Sequence, residues 1–197
     1  MALFQEAPKE SHVLAVKIIF RYLKGTKEFG LRYPKGKDLS LIAYIDVDWA
    51  GCIDDQRSTS GATFYLGECL VSWIRKKQSS VSLSTIMVEY IAATTCCTHV
   101  LWMKQTLSDI HVEYDEPIPI YYDNTSTISI SKNPMMLSKM KHIQIKSHFL
   151  REYVTKNNIR IEYVGTKEQV AYIFTKPLPQ EAFEYLHQRL GVISTPK

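Results

Sequence analysis

A chain of 197 residues that is 45% hydrophobic, 11% aromatic and 22% charged, with 8 Gly and 8 Pro, has the make-up of a folded globular protein. That excludes disordered, collagen-like and linker classes, and at ~150 residues per domain it leaves room for one large domain or one with an appendage. Its 24 Lys+Arg against 20 Asp+Glu give a net charge of +4, which permits a polyanion partner without requiring one.

From Pro8 to Lys24, Val13, Val16, Ile19, Phe20 and Leu23 recur at helical spacing, with Lys17, Arg21 and Lys24 on another face and Gly25 as a stop. The basic stripe fits a solvated face as well as a contact surface. Tyr33-Pro34-Lys35-Gly36-Lys37 is turn-rich, and a boundary is expected beside it, dividing the chain into 1–36 and 37–197. Leu39 to Trp49 predicts a strand ending around Asp46. Gly61 to Leu66 and Leu70 to Ile74, joined by Gly67-Glu68, predict a hairpin of two more strands. Ser84 or Thr85 can cap a long helix reaching about Ser108. Ile118 to Tyr122 is a short strand leading straight into Asp123-Asn124, followed by a short helix towards Lys132. A helix from near Met140 to Asn157, a strand from Ile159 to Val164, a helix from Lys167 to Thr175 and a last helix from Gln180 to Leu190 complete the chain. Three antiparallel strands, then strands alternating with helices, predict an α/β fold with a mixed sheet.

Cys52, Cys69, Cys96 and Cys97 form no C-x-x-C pair, so small buried thiols are expected rather than a disulfide framework or a zinc site. Trp49, Trp73 and Trp102 read first as core residues. The opening Met1-Ala2-Leu3-Phe4-Gln5-Glu6 lacks a secretory pattern, and no run reaches the ~20 apolar residues of a membrane span. A soluble, intracellular protein is expected, with cytoplasm and nucleus both open. No nucleotide-triphosphate, acyl-transfer or dinucleotide motif is present.

Three carboxylates stand where strands should end or a helix should start: Asp46, Glu89 and Asp123. Acids gathered at one sheet edge repel each other unless a cation neutralises them, and hard oxygen ligands suit Mg²⁺ or Mn²⁺. Two such ions about 4 Å apart would clamp both oxygens of an in-line phosphodiester displacement. The same residues also fit a plainer description, in which Asp46 and Asp123 are turn or cap residues and Glu89 a solvated helix residue. Arg75, Lys76 and Lys77, and then Lys132, Lys139, Lys141 and Lys146 around His142 and His148, suit a phosphate backbone. For the first cluster a solvated turn fits equally well. His142 and His148 are too far apart for a helical zinc pair and fit a phosphate contact, a proton donor or a buried cap.

Asp46-Val-Asp48-Trp-Ala-Gly51, Arg57-Ser-Thr-Ser-Gly61, Val71-Ser-Trp73, Glu89-Tyr90-Ile-Ala92, Pro119-Ile-Tyr-Tyr-Asp123-Asn124, Lys141-His142-Ile143, His148-Phe149-Leu150-Arg151-Glu152 and Phe174-Thr175-Lys176-Pro177-Leu178-Pro179 run in order along the chain. Together they resemble the ribonuclease H region of copia-type LTR-retrotransposon Pol polyproteins. The stretch with Pro8-Lys9-Glu10-Ser11-His12 and Arg21-Tyr22-Leu23-Lys24-Gly25 is similar to the connection that follows the reverse transcriptase there. The resemblance implies a ribonuclease H-like fold with a mixed five-stranded sheet, three strands antiparallel and two parallel, flanked by helices.

It also implies hydrolysis of the RNA strand of an RNA–DNA hybrid by four acids holding two Mg²⁺ or Mn²⁺ ions. Asp46 would bridge both ions, Glu89 and Asp123 would take one flank each, and Arg75, Lys76, Lys77, Lys139, Lys141, His142 and Lys146 would hold the nucleic acid. The implied partners are the hybrid and the reverse transcriptase domain, with no membrane. The fourth acid belongs in Val170-Ala171-Tyr172-Ile173-Phe174-Thr175-Lys176-Pro177-Leu178, where Tyr172 stands in place of the family's aspartate. A phenol is neutral at pH 7 and a poor ligand for Mg²⁺, so cleavage should be impaired, and a hybrid-binding module without cleavage, or a relic, is the alternative. Glu168 is expected one turn before Tyr172, leaning away from the vacated position. Met87 and Gln144 also replace acids of the family pattern.

Overall fold

A computed structural model describes residues 6–36, 38–51, 56–78, 85–125 and 149–194. Helix α1 (Glu10–Gly25) leads into the short strand β1 (Phe29–Leu31). Strands β2 (Leu41–Asp48), β3 (Thr59–Leu66) and β4 (Cys69–Lys77) follow, then helix α2 (Thr85–Ser108) and strand β5 (Ile118–Tyr122). Helical residues 149–155, α3, precede β6 (Ile159–Tyr163). Two 3₁₀ turns, Thr166–Glu168 and Val170–Phe174, then helix α4 (Gln180–Arg189) and strand β7 (Val192–Ser194) end the described chain.

The main sheet has the order β4-β3-β2-β5-β6. β2, β3 and β4 pair antiparallel, and β5 and β6 join in parallel. This is the expected mixed five-stranded sheet. The β3–β4 turn carries Gly67 at φ +60°, where a Cβ would meet the Asp38 carbonyl oxygen at 2.1 Å, so glycine is required.

Alternation along the strands separates two apolar layers. Leu41, Ala43 and Ile45 of β2, Ala62 and Phe64 of β3, and Ile118, Ile120 and Tyr122 of β5 face α2 and meet Val88, Ala92, Cys96 and Val100. By length and composition α2 could cross a membrane, contrary to the sequence expectation, but here that apolarity serves the sheet layer. On the opposite face Ile42 and Tyr44 pack with Tyr65, Leu70, Val170, Leu186 and Leu190. Three of the cysteines are buried free thiols, as expected, and burial pushes the Cys97 thiol up to about 12. Cys52 lies outside the described residues.

Four features depart from the sequence reading. Trp49, Trp73 and Trp102 are exposed, at 51%, 52% and 61%, because each sits at a strand end, an outward strand position or the solvent side of α2. The expected helix from Lys167 to Thr175 is two 3₁₀ turns, broken where Gln169 takes an extended conformation (φ −76°, ψ 92°). β1 and β7 pair antiparallel in a separate two-stranded sheet, fastening residues 29–31 to the C-terminal strand. Finally, none of the α1 residues is buried among the described residues, so Leu14, Ile18, Phe20 and Leu23 are all exposed.

Candidate functional site

The parallel register of β2 and β5 sets Ile45 beside Tyr122. Asp46 and Asp123 are the next residues of two neighbouring strands, at the carboxyl end of the sheet where α/β folds present their crevices. Tyr44 and Tyr121, two residues earlier, stack at 4.9 Å between ring centroids on the face opposite α2. Alternation therefore turns Asp46 and Asp123 towards that same face. Glu89 reaches the same end from the first turns of α2. Its Oε1 accepts a hydrogen bond from Asn124 Nδ2 at 2.8 Å, beside Asp123.

The second 3₁₀ turn closes this end. Gln169 is fully buried and donates from Nε2 to the Ile45 carbonyl at 2.9 Å, while its Oε1 caps the turn at the Ala171 amide. The tie anchors the turn one residue from Asp46. Gly61 of β3 makes the approach possible, since a Cβ there would sit 2.8 Å from Thr175 Cγ2 and 3.1 Å from the Ala171 carbonyl oxygen. Arg75 Nε donates to the Phe174 carbonyl at 2.8 Å and ties down the far end.

Asp46, 2% exposed, is the most enclosed of the three acids, and a buried carboxylate needs partners. Thr175 Oγ1 donates to its Oδ2, and Lys176 Nζ lies 3.5 Å from its Oδ1. The same ammonium sits 3.7 Å above the centre of the Tyr172 ring. Burial, then the charge of Asp46, push the Asp123 carboxyl up to about 6, against the pull of Lys176 and with Glu89 adding to the rise. Burial and Asp46 also raise Asp48, again opposed by Lys176. Lys176 itself is raised: burial works against its charge, but Tyr172, Asp46 and Asp123 outweigh that.

Tyr172, the position where the resemblance expects a fourth acid, lies on this closing turn with its ring beneath the Lys176 ammonium. Glu168 does not stand in for it. It pairs with Arg189 and accepts from Tyr185 Oη at 3.1 Å, held on α4 rather than on a helix face shared with Tyr172. The basic cluster of β4 is split by strand alternation. Arg75 and Lys77 line a groove with Asp48, Thr59, Thr175 and Lys176, whereas Lys76 lies on the α2 side with Ser60 and Gln78. Lys139, Lys141, His142 and Lys146, with Lys132 and His148, lie outside the described residues.

Sequence reasoning passed over Asp48, Gln169, Thr175 and Lys176 as site residues. The last two stand inside the quoted Phe174-Thr175-Lys176-Pro177 motif, which was the available signal. Nothing local marks Gln169, whose partner is 124 positions away.

As arranged, these residues do not fit a divalent ion. Both oxygens of Asp46 face protein partners, one oxygen of Glu89 is held by Asn124, and Tyr172 on the closing turn offers a phenol rather than a carboxylate. Among the described residues, no group of three or more His, Cys, Asp or Glu side chains is placed to hold a metal.

No family model matches the chain. It is similar to the retrovirus-related Pol polyprotein from transposon RE1 of Arabidopsis thaliana, with 39% identity over 193 residues, and to that from transposon RE2 of the same plant, with 37% identity over 193 residues. Each match covers 98% of this chain and 13% of the polyprotein. The crystal structure of LC11-RNase H1 in complex with RNA/DNA hybrid matches with a TM-score of 0.50 and 8% identity, over 69% of this chain and 94% of that one. The chain belongs to the retrotransposon Pol polyproteins, in their ribonuclease H region. The Pol segment has the ribonuclease H-like fold that the ordered motifs implied. It corresponds to about an eighth of the length of the two polyproteins it matches.

Proposed function

We propose that this Pol segment engages RNA–DNA hybrid in the manner of a ribonuclease H region, and that hydrolysis of the RNA strand is impaired in it. The observation that carries this reading is the juxtaposition of the acidic sheet end with the basic groove. Asp46, Asp48 and Asp123 share one end of the sheet, and Arg75, Lys77 and Lys176 border it along one face. A phosphate backbone laid in that groove meets the cations while its phosphodiesters pass the carboxylates. Lys139, Lys141, His142 and Lys146 would add to the same interface.

Impairment of cleavage rests on Tyr172 and on the engagement of Asp46 by Thr175 and Lys176. The Mg²⁺ or Mn²⁺ that the family resemblance calls for is not met by a ready set of ligands here. Of the two readings, hybrid binding with crippled cleavage is therefore favoured over full two-metal catalysis.

In this reading residues 1–36 are the connecting segment and 37–197 the ribonuclease H-like domain, with β1 fastened to β7. The second partner is the reverse transcriptase domain of the parent polyprotein. The uncovered apolar residues of α1 support such a neighbour.

The test is a salt series with a labelled RNA–DNA hybrid. Affinity should fall steeply with rising salt, and Arg75→Gln with Lys77→Gln should weaken binding and flatten the salt slope by about 1–2 contacts. Binding that ignores salt, or that is untouched by the double substitution, would overturn the reading.

A further inference from the structure

The acids of this site are enclosed and repel one another, yet among the described residues no set of them is arranged for a metal. The missing counter-charge is in the chain itself. Lys176 lies two residues beyond the closing turn, and its side chain points back at Asp46. The ammonium has the Tyr172 ring on one side, 3.7 Å to the centroid, and Asp46 Oδ1 on the other, 3.5 Å away.

Both contacts favour a cation. The negative face of an aromatic ring attracts an ammonium, and the attraction grows as water is removed. A carboxylate as enclosed as Asp46 is costly without a positive partner. Thr175 satisfies the other oxygen of Asp46, so two consecutive residues of one turn take up both of its oxygens.

Tyr172 supports this arrangement in a way an aspartate would not. A carboxylate at 172 would offer the ammonium a partner on its own turn and add an oxygen ligand to the acidic end. The phenol adds no anionic oxygen at neutral pH and supplies a ring platform under the ammonium. The most enclosed acid is thus given a counter-charge from within the chain, by a tethered monovalent cation held beside it at high effective concentration.

We propose that Lys176 is the resident cation of the acidic centre, held by Tyr172 against Asp46, and that divalent ions bind this centre only by displacing it. This deepens the functional reading above and rests on it for the identity of the acidic centre. Hybrid binding and metal exclusion are nevertheless separate properties.

The experiment is a titration of the purified chain with Mn²⁺ alone, following free Mn²⁺ by electron paramagnetic resonance, with circular dichroism as a check on folding. The parent should bind Mn²⁺ weakly. Lys176→Gln should tighten binding by about tenfold or more, the effect expected when a unit charge a few ångströms from the ligands is removed. Lys176→Arg should keep the weak binding, and Tyr172→Phe, which retains the ring, should keep most of it. Lys167→Gln removes a charge without touching Asp46 and should change the affinity less than twofold.

Tyr172→Ala frees the ammonium without changing net charge and should also tighten Mn²⁺ binding, so it decides the matter if Lys176→Gln does not fold. A folded Lys176→Gln that binds Mn²⁺ no better than the parent would overturn the proposal, as would an equal gain in Lys167→Gln. Failure of hybrid binding in the metal-free salt series would instead remove the functional reading and leave the Mn²⁺ result standing.

Discussion

On the α2 side of the sheet, Ala43, Ile45, Ala62, Phe64 and Ile120 meet Val88, Ala92, Cys96 and Val100 in a continuous apolar layer. On the other side, Val170, Ile173 and Phe174 of the second 3₁₀ turn join the apolar cluster of Ile42, Tyr44 and Tyr65, and near the acidic end single polar ties connect the turn to the sheet. These run from Gln169 to Ile45, from Thr175 and Lys176 to Asp46, and from Arg75 to Phe174. The first layer is redundant, since each side chain has several neighbours of the same kind. The second is specific, and each tie holds one residue of the site in place. Stability should therefore reside mainly in the α2 layer and site geometry mainly in the polar seam.

The largest effect is expected from Phe64→Ala. Phe64 is fully buried and packs on His99 at 4.4 Å between ring centroids. Its truncation should cost about 3–5 kcal/mol in urea unfolding, with hybrid affinity of the folded fraction unchanged. A loss of affinity at full folding would break the separation between the two faces. Gly61→Ala comes next. Its new Cβ would press on Thr175 and the Ala171 carbonyl and should cost about 1–3 kcal/mol. Unlike Phe64→Ala, it should also disturb the site, seen as tighter Mn²⁺ binding when the Thr175 and Lys176 contacts to Asp46 loosen. Stability lost with no change at the site would show that the turn moves as a rigid unit.

Gln169→Leu should cost about 1–3 kcal/mol, because the Ile45 carbonyl and the cap of the turn both lose their partner. No measurable loss would mean that the seam is dispensable. A further effect is a pH dependence. The folded pKa of Asp123, about 6, lies above its ordinary 3.8, so the protonated form favours the fold. That contribution is complete below 3.8 and fades as pH rises through about 6. Asp123→Asn should flatten this part of the stability curve, and an unaltered slope in urea unfolding across that window would count against the enclosed, repelled carboxylate.

The same contrast explains what could be read from the residues alone. β5, Ile118–Tyr122, and α2, Thr85–Ser108, matched expectation because their apolar pattern is local and their boundaries carry turn or cap signals. That the sheet is mixed followed from strands succeeding one another and then alternating with helices, whereas its five strands, three antiparallel and two parallel, rested on the family resemblance. Asp46, Glu89 and Asp123 could be named from strand ends, a helix start and the ordered motifs. The seam could not, since Gln169 and Ile45 are 124 positions apart and no periodicity links them.

Likewise β1 and β7 are three residues each, too short for alternation to register. The closing turn looked helical because Val170, Ala171, Ile173 and Phe174 are apolar in close succession, a pattern that 3₁₀ turns share. Exposure of the three tryptophans was hidden for a different reason. Residue type alone argues for burial, whereas the strand face or helix side on which each falls is set by the partners of that element.

In the reading proposed above, Tyr172 and Lys176 close the acidic end of the sheet. The most direct test of that reading is RNA-strand cleavage of a labelled RNA–DNA hybrid in Mn²⁺ by the parent chain and by Tyr172→Asp, at matched hybrid occupancy. The parent should leave the RNA strand intact or cut it slowly, and Tyr172→Asp should gain activity that Asp46→Asn abolishes. Cleavage by the parent as fast as by Tyr172→Asp would contradict the account.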